Sequence, residues 1–367
     1  MRVLIAPQEF KGSLGADEAA AAIARGLGAA RPGWELDILP LADGGPGFLD
    51  ALRRAVPAHS GRADVHDAIG RKVLGRYLWL RATRTAVVEA AQANGLYHLS
   101  PGELDPLRAD TFGVGELVAA ALEERPARLV VGVGGSATTD GGAGMARALG
   151  ARLTDEAGNE LAAGGAALAS LARIDWRPPP GLAGVDVVVA TDVTNPLVGR
   201  EGAAAVFAPQ KGATADDVEV LEAALVRYAA VVRRSLGVDV AAMPGAGAAG
   251  GLAAGLVAFL GGRIESGFEV VAEATGLRER LADADVIVTG EGSFDAQSLR
   301  GKGTGRLREL AAAAGKSCIV FAGVSEFQGR EDVRVLSALE PDTTRSREDA
   351  AALLAELARR WAEAWEE

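Results

Sequence analysis

A glycine-rich stretch between Leu129 and Gly144, LVVGVGGSATTDGGAG, combines residue types that could bind an anionic ligand. A β-branched apolar run precedes the glycines and a helical run follows them. Backbone N–H groups converge at such strand-to-helix turns, and the helix dipole favours negative charge. Glycines allow close backbone approach, hydroxyls donate to oxygens, and a carboxylate can orient a cation or a hydroxyl. The candidate ligand-binding residues here are Gly134, Gly135, Ser136, Thr138, Thr139 and Asp140.

Two other interpretations of this stretch stay open. The glycines could serve only the packing of a tight strand-to-helix turn. The spacing Gly132-x-Gly134-x-x-Ala137, with Asp155 further along, also approximates a dinucleotide-binding fingerprint. Against that fingerprint, Asp140 places a carboxylate where a pyrophosphate requires donors.

Further carboxylates and lysines follow the ends of apolar, strand-like runs elsewhere in the chain. Ligands of open α/β sheets bind beyond the carboxyl ends of the strands, so we expect such residues to share sheet edges. Carboxylates on glycine loops beside hydroxyls and lysines suit phosphoryl transfer, in which a carboxylate accepts the proton of the attacking hydroxyl. These further candidates are Lys11, Ser13, Asp43, Asp192, Asn195, Lys211, Glu291 and Asp295.

The elements that must position these residues predict an α/β protein of two domains. Five strand-like runs lie near the two chain ends, at Arg2–Ala6, Glu35–Leu39, Val286–Thr289, Ile319–Ala322 and Val333–Leu336. They predict a flavodoxin-like or Rossmann-like parallel sheet domain formed by residues 1–60 and 276–367. Short strands with tight turns begin near Gly61, which indicates an inserted mixed α/β domain over residues 61–275 that carries the glycine-rich stretch.

Composition and missing motifs exclude several function classes. The net charge of −11 argues against a sequence-independent nucleic-acid binder, which needs clustered Lys and Arg. One cysteine and three scattered histidines exclude a structural zinc site and an intramolecular disulfide. No Walker A loop, protein-kinase signature or GxSxG elbow is present. Without a secretory signal or an apolar run of membrane-spanning length, we expect a cytoplasmic protein with no membrane partner.

Long motifs spread over nearly the whole chain resemble those of the type-I glycerate kinases. They read APQEFKGSL, PLADGGPGFLDAL, VEAAQANGL, TFGVGEL, GVGGSATTDGGAGMARALGA, TDVTNPLVGREGAAAVFAPQKGA, GAGAAGGLAAGL and VTGEGSFDAQSLRGK. The resemblance implies ATP-dependent phosphorylation of D-glycerate, usually to 2-phosphoglycerate, with Mg²⁺. It also implies a two-domain α/β fold with the active site in the cleft between the domains.

The resemblance gives the candidate residues roles in such a reaction. Asp192 is the first candidate for the base, with Asp43 and Asp295 as alternatives, and Asp192 and Asp43 are the candidate Mg²⁺ ligands. Lys11 and Lys211 are candidates for charge neutralisation. The expected partners are a small hydroxy acid and a nucleotide, and the expected oligomeric state is a monomer or a homodimer.

Three positions depart from the family pattern. Where the family usually reads PDSFKGSL, ADGGEG and GEGRxD, this chain has Gln8, Pro46 and Ser293. A neutral Gln8 can still form hydrogen bonds, and Glu9 is a second carboxylate source in the same loop. A family member that only binds or senses its ligand is therefore an alternative to an active kinase, and a dinucleotide-dependent oxidoreductase is a further one.

Overall fold

The computed structural model of the chain describes residues 1–42, 44–296, 298, 303–327 and 329–365. Two compact units make up the chain. The first unit comprises Met1–Asp43, Asp50–Val56 and Phe268–Glu367, and the second comprises Gly44–Leu49 and Pro57–Gly267. The sequence placed the two junctions at residues 60 and 275, whereas the units divide after Val56 and after Gly267, and the short segment Gly44–Leu49 also belongs to the second unit.

The strands of the chain contain three to nine residues each. In chain order they are β1 (Arg2–Ile5), β2 (Glu35–Ile38), β3 (His59–His66), β4 (Lys72–Leu80), β5 (Thr85–Glu89), β6 (Arg128–Gly132), β7 (Arg152–Thr154), β8 (Arg173–Asp175), β9 (Asp186–Ala190), β10 (Arg263–Glu265), β11 (Val286–Phe294), β12 (Ser317–Ser325) and β13 (Val333–Val335).

The α-helices, like the strands, are numbered along the chain. They are α1 (Ala16–Ala30), α2 (Phe48–Ala55), α3 (Ala91–Asn94), α4 (Phe112–Glu123), α5 (Ala143–Ala148), α6 (Ala203–Phe207), α7 (Ala215–Leu236), α8 (Leu252–Leu260), α9 (Gly267–Thr275), α10 (Leu277–Asp283), α11 (Gly303–Ala313), α12 (Thr343–Glu348) and α13 (Ala350–Glu363). Within the ranges described above, no helix is long and apolar enough to cross a membrane.

The first unit contains a five-stranded parallel sheet in the order β13-β12-β11-β1-β2. The sequence from one chain end pairs directly with that from the other, as in the register Val3↔Val286. Runs such as Val3–Ile5 are fully buried, as expected for parallel strands covered on both faces. The predicted five-strand set is confirmed.

β11 corrects one part of that prediction. The sequence ended this strand at Thr289 and interpreted the following GEGSF as a loop, but the strand continues to Phe294 and pairs with β12 as far as Phe294↔Ser325. Gly290 permits the close pairing, because a Cβ there would lie 2.3 Å from the Phe321 carbonyl oxygen. Glycines that indicated a turn therefore serve close contact between strands.

The second unit contains a six-stranded mixed sheet in the order β10-β9-β6-β5-β4-β3. β3, β4 and β5 pair antiparallel, whereas β5, β6, β9 and β10 are parallel neighbours. The predicted antiparallel strands are present, and they form one half of the sheet that also holds the strand before the glycine-rich stretch. A separate antiparallel pair, β7 and β8, lies outside this sheet.

Candidate active site

Four parallel strands of the second sheet end at one edge, and the residues there form the candidate active site. Glu89 is the last residue of β5 and Gly132 the last residue of β6. Asp192 and Ser266 lie just beyond the ends of β9 and β10. The edge therefore combines two carboxylates, a hydroxyl and the glycine-rich loop within one unit.

Asp192 is held at this edge by a neighbouring strand end. The Ser266 hydroxyl donates to Oδ1 of Asp192 at 2.5 Å. The preceding residue, Thr191, donates its backbone N–H to the carbonyl oxygen of Glu265, and its hydroxyl accepts from the N–H of Val193. Asp192 is thus partly buried. Its carboxylate is fixed by the residue that follows β10, and the backbone just before it is fixed by the last residue of β10.

Asn195, a predicted binding residue, has a structural contact in this loop. Its side-chain amide donates to the Glu201 carbonyl oxygen at 2.8 Å, which closes the segment between β9 and α6. Its backbone carbonyl accepts from the N–H of Gly247. Asn195 therefore stabilises the loop that carries Asp192.

Close packing explains why the outer part of the glycine-rich loop consists of glycines. The N–H of Gly134 donates to the Gly44 carbonyl oxygen at 3.1 Å. A Cβ on Gly134 would lie 2.4 Å from Cα of Gly45, and a Cβ on Gly135 would lie 2.6 Å from Cγ of Pro46. Gly135 also has a φ of +69°. A second glycine loop packs against these residues on the side where a Cβ would point, so the fold requires their lack of a side chain, as the packing interpretation states.

Asp140 corrects the prediction of an anion site at the following helix. Its carboxylate is fully buried and accepts from the N–H and hydroxyl of Thr111, the N–H of Gly142 and the N–H of Gly144. The next N–H, that of Met145, donates to the Thr111 hydroxyl. The donors at the start of α5 are therefore occupied by the protein's own carboxylate and hydroxyl, and Asp140 braces the loop.

Lys211 also lies inside the unit. Its side chain is 2% exposed, and its ammonium donates to the Ser136 hydroxyl at 3.0 Å and to the Thr138 carbonyl oxygen at 2.5 Å. Burial lowers the pKa of Lys211 to about 7, and the negative charge of Asp140 opposes this shift. The predicted charge-neutralising lysine thus holds the glycine-rich loop together from within.

The remaining hydroxyls of the loop are buried as well. The Asn94 side-chain amide donates to the Thr138 hydroxyl at 3.0 Å, and the Asn94 backbone carbonyl accepts from the N–H of Ala137. The fully buried Thr139 hydroxyl has no hydrogen-bond partner within the described part of the chain. Ser136, Thr138 and Thr139 therefore belong to the interior of the loop, and Gly134 and Gly135 to its accessible rim.

In the first unit, the predicted residues lie near the carboxyl ends of β1 and β11. The N–H of Gln8 donates to the Gly290 carbonyl oxygen, and a Cβ on Gly292 would lie 3.1 Å from the backbone nitrogen of Lys11. Lys11 is exposed, and the Ser13 hydroxyl donates to the Phe10 carbonyl oxygen. This loop therefore crosses directly over the extension of β11.

The two predicted acids of the first unit differ in their positions on β11. Glu291 is partly buried within the strand, and Asp295 follows its last residue. The Asp295 carboxylate accepts from the N–H of Ser298 at 3.0 Å, a local contact typical of a turn. Asp43 lies outside the described residues.

A model of the family described as "Glycerate kinase family" matches residues 3–366 of the chain. The chain belongs to the glycerate kinase family. It is a small-molecule kinase of this family, as the motifs predicted.

Individual relatives of this glycerate kinase family member cover most of its length. A glycerate kinase of Halalkalibacterium halodurans is 42% identical over 90% of this chain and 87% of the relative. A glycerate 2-kinase of Escherichia coli is 42% identical over 88% of this chain and 85% of the relative. A crystal structure of a Salmonella typhimurium LT2 protein, provisionally assigned as glycerate kinase 2, matches with a TM-score of 0.82 and 41% identity over 99% of this chain and 97% of that one.

The dinucleotide-binding fingerprint is not formed in this kinase. The helix after β6 begins only at Ala143, well beyond Ala137, so it cannot present its first turn to a pyrophosphate bound at Gly132–Gly134. Asp155 lies in the turn after β7, outside the six-stranded sheet, and accepts hydrogen bonds from Asn159. Glycine spacing alone therefore gave a false match.

Glu89 and Ser266 belong to the candidate site, although sequence reasoning did not select them. Glu89 is 2% exposed and accepts from the N–H of Leu49 at 3.1 Å and from the side chain of Gln92. The sequence did contain a signal for Glu89, because an acidic residue ends the apolar, strand-like run Thr85–Glu89. Ser266 follows a strand of only three residues, which gave no comparable signal.

Asp110 lies beside the braced loop and carries a testable pH dependence. Its carboxylate accepts from the N–H of Phe112, and burial, followed by the charge of Asp140, raises the pKa of Asp110 from 3.8 to about 6. The folded state therefore favours the protonated carboxyl of Asp110. The stability that this carboxyl contributes is fully present below the unfolded-state pKa and is lost as the pH rises through about 6. We therefore expect Asp110→Asn to raise the free energy of unfolding by about 1–3 kcal/mol at pH 8 and by much less at pH 4.

Denaturant unfolding at both pH values measures this effect. The control Asp155→Asn should behave in the opposite way, because Asn159 donates to Asp155 and lowers the pKa of that carboxyl. The control should thus lose stability at pH 8 and little at low pH. An equal effect of Asp110→Asn at both pH values would contradict the assignment.

Proposed function

We propose that the protein transfers the γ-phosphoryl group of ATP to the hydroxyl on C2 of D-glycerate, which gives 2-phosphoglycerate and ADP. The observation that carries this proposal is the Asp192 carboxylate, fixed at the carboxyl edge of β9 by the Ser266 hydroxyl. Relatives at about 42% identity are named glycerate kinase and glycerate 2-kinase, which supports the acceptor and the phosphorylated carbon.

Asp192 acts as the general base in this proposal. The C2 hydroxyl oxygen attacks the γ-phosphorus, its proton passes to the Asp192 carboxylate, and the bond from the γ-phosphorus to the bridging oxygen of ADP breaks. The exposed ammonium of Lys11 neutralises charge on phosphate oxygens. Lys211, Asp140 and Thr138 contribute indirectly, because they hold the glycine-rich loop in one conformation.

The donor set is compatible with Mg²⁺ held mainly by the nucleotide. In the described ranges, no group of three or more His, Cys, Asp or Glu side chains could hold a metal ion. Mg²⁺ in phosphoryl-transfer enzymes typically uses one or two carboxylates together with phosphate oxygens and water. Of the two candidate ligands, Asp192 serves as the base in this proposal, and a carboxylate bound to Mg²⁺ would lose most of its basicity. When bound, the ion would neutralise charge on the transferring phosphoryl group. Asp43 therefore stays the proposed carboxylate ligand.

A coupled ADP-release assay with Mg·ATP and a panel of short hydroxy acids tests the proposal. We expect turnover with D-glycerate, and phosphorus NMR of the product distinguishes the C2 ester from the C3 ester. Binding of glycerate without turnover would favour the alternative of a family member that only senses its ligand. A cytoplasmic location and a monomeric or homodimeric state stay predictions.

Gln8, which replaces the aspartate of the family pattern, gives a further prediction. Oε1 of Gln8 accepts from the N–H and the hydroxyl of Thr304, at 3.3 and 3.4 Å, in the first turn of α11. A carbonyl oxygen thus makes the contact that an acid at this position would make. We expect Gln8→Asp to change kcat by less than about tenfold, since one such hydrogen bond contributes about 0.5–1.5 kcal/mol.

Steady-state rates of the wild type, Gln8→Asp and Glu9→Gln check this prediction. Glu9→Gln should be the less active variant if Glu9 supplies the carboxylate that Gln8 lacks. A silent wild type with an active Gln8→Asp would show that the enzyme requires the acid at position 8.

A further inference from the structure

Ser266 and Asp192 come from chain segments far apart in sequence that the sheet brings together. β9 and β10 are parallel neighbours, and their last residues, Ala190 and Glu265, are register partners. The residues beyond both strands therefore emerge at the same edge, side by side. The distance of 2.5 Å between Ser266 Oγ and Asp192 Oδ1 follows from this register.

The contact is directional, and its chemistry suits a base. A carboxylate accepts and does not donate, so the hydroxyl proton of Ser266 must point at Asp192 when the acid is ionised. A short O–H···O⁻ hydrogen bond is among the stronger contacts available to a neutral side chain. It restricts rotation of the carboxylate about its last torsion angle, which is broad for an unconstrained aspartate.

We propose that Ser266 is a positioning residue that fixes the Asp192 carboxylate in the orientation needed to accept the proton of the attacking hydroxyl. This inference rests on the proposed role of Asp192 as the base. Ser266 itself exchanges no proton with the substrate. Its effect is therefore expected in kcat, which depends on proton transfer, and much less in KM for ATP.

The structure provides a conservative variant, an ablating variant and a matched control. Ser266→Ala removes the donor, and Ser266→Thr keeps it. Ser100→Ala removes a comparable hydroxyl-to-carboxylate hydrogen bond, from Ser100 to Glu103 at 2.9 Å, in a surface turn. Should Ser266→Ala not fold, Ser266→Cys takes its place, because it keeps the side-chain size and is a weak donor.

We expect Ser266→Ala to lower kcat by about 10–100-fold, the range that corresponds to loss of a hydrogen bond to a charged group. KM for ATP should change by less than about threefold, Ser266→Thr should restore most of the rate, and Ser100→Ala should match the wild type. In an Asp192→Asn background, Ser266→Ala should have no further effect on kcat, because the group that it positions is gone.

The same set of variants separates failure of the inference from failure of the proposed function. If Asp192→Asn is as active as the wild type, the base is another residue, and the inference falls with that role. If Asp192→Asn is inactive but Ser266→Ala keeps the wild-type kcat, only the inference is overturned. An equal loss from Ser266→Ala in both backgrounds would likewise overturn it, since Ser266 would then act by another route.

Discussion

Asp192→Asn is expected to lower kcat by about 10²–10⁴-fold, the contribution of a positioned general base. Asparagine keeps the size of the side chain and can still accept from the Ser266 hydroxyl, so the geometry of the edge is preserved. Only the ability to take a proton is lost. Steady-state turnover gives kcat, and calorimetric titration with a non-hydrolysable ATP analogue should give nearly the same Kd as for the wild type.

The exposed Asp239, which follows α7, provides the control for this experiment. Its carboxylate accepts a local hydrogen bond from the N–H of Ala241. Asp239 is distant in sequence from the strand ends that form the candidate site, so Asp239→Asn should leave kcat within about twofold of the wild type. An unchanged kcat in Asp192→Asn would move the base role to Asp43 or Asp295.

The second large effect concerns stability of the glycine-rich loop. Asp140→Ala should lower the free energy of unfolding by about 3–5 kcal/mol, because it leaves buried donors without an acceptor and Lys211 without a nearby negative charge. The donors are the four N–H and hydroxyl groups of Thr111, Gly142 and Gly144. A loss of this size corresponds to a decrease in Tm of roughly 10 °C. Calorimetry of the variant measures it.

A double-mutant cycle shows whether the buried charges act together. Asp140→Asn and Lys211→Met each leave one charge uncompensated inside the unit, whereas the double variant removes both. We expect the double variant to be less destabilised than the sum of the single ones by about 1–3 kcal/mol. Additive losses would show that the two charges stabilise the loop independently. The exposed Asp64 of β3 gives a control, and Asp64→Ala should change stability by no more than about 0.5 kcal/mol.

The strand pattern was predictable because hydrophobic periodicity is a local property. Buried runs such as Val3–Ile5 and Val187–Ala190 read directly as parallel strands, and the five strands of the first sheet were expected from both chain ends. The continuation of β11 through GEGSF could not be read in the same way. Gly290 and Gly292 are weak strand formers, and only pairing with β12 gives this segment its strand conformation.

By itself, the sequence determined the α/β class, the chain segments that build the first sheet, the family and the chemical types at the site. It could not assign roles within the glycine-rich stretch, because hydroxyls, glycines and a carboxylate serve a ligand or a brace equally well. Tertiary structure decided that Asp140 and Lys211 face the interior of their unit and that Ser266 meets Asp192. Each of these contacts joins residues that are far apart in sequence. Strand register and burial decide which distant segment supplies the hydrogen-bond partner, and neither can be read from the local sequence.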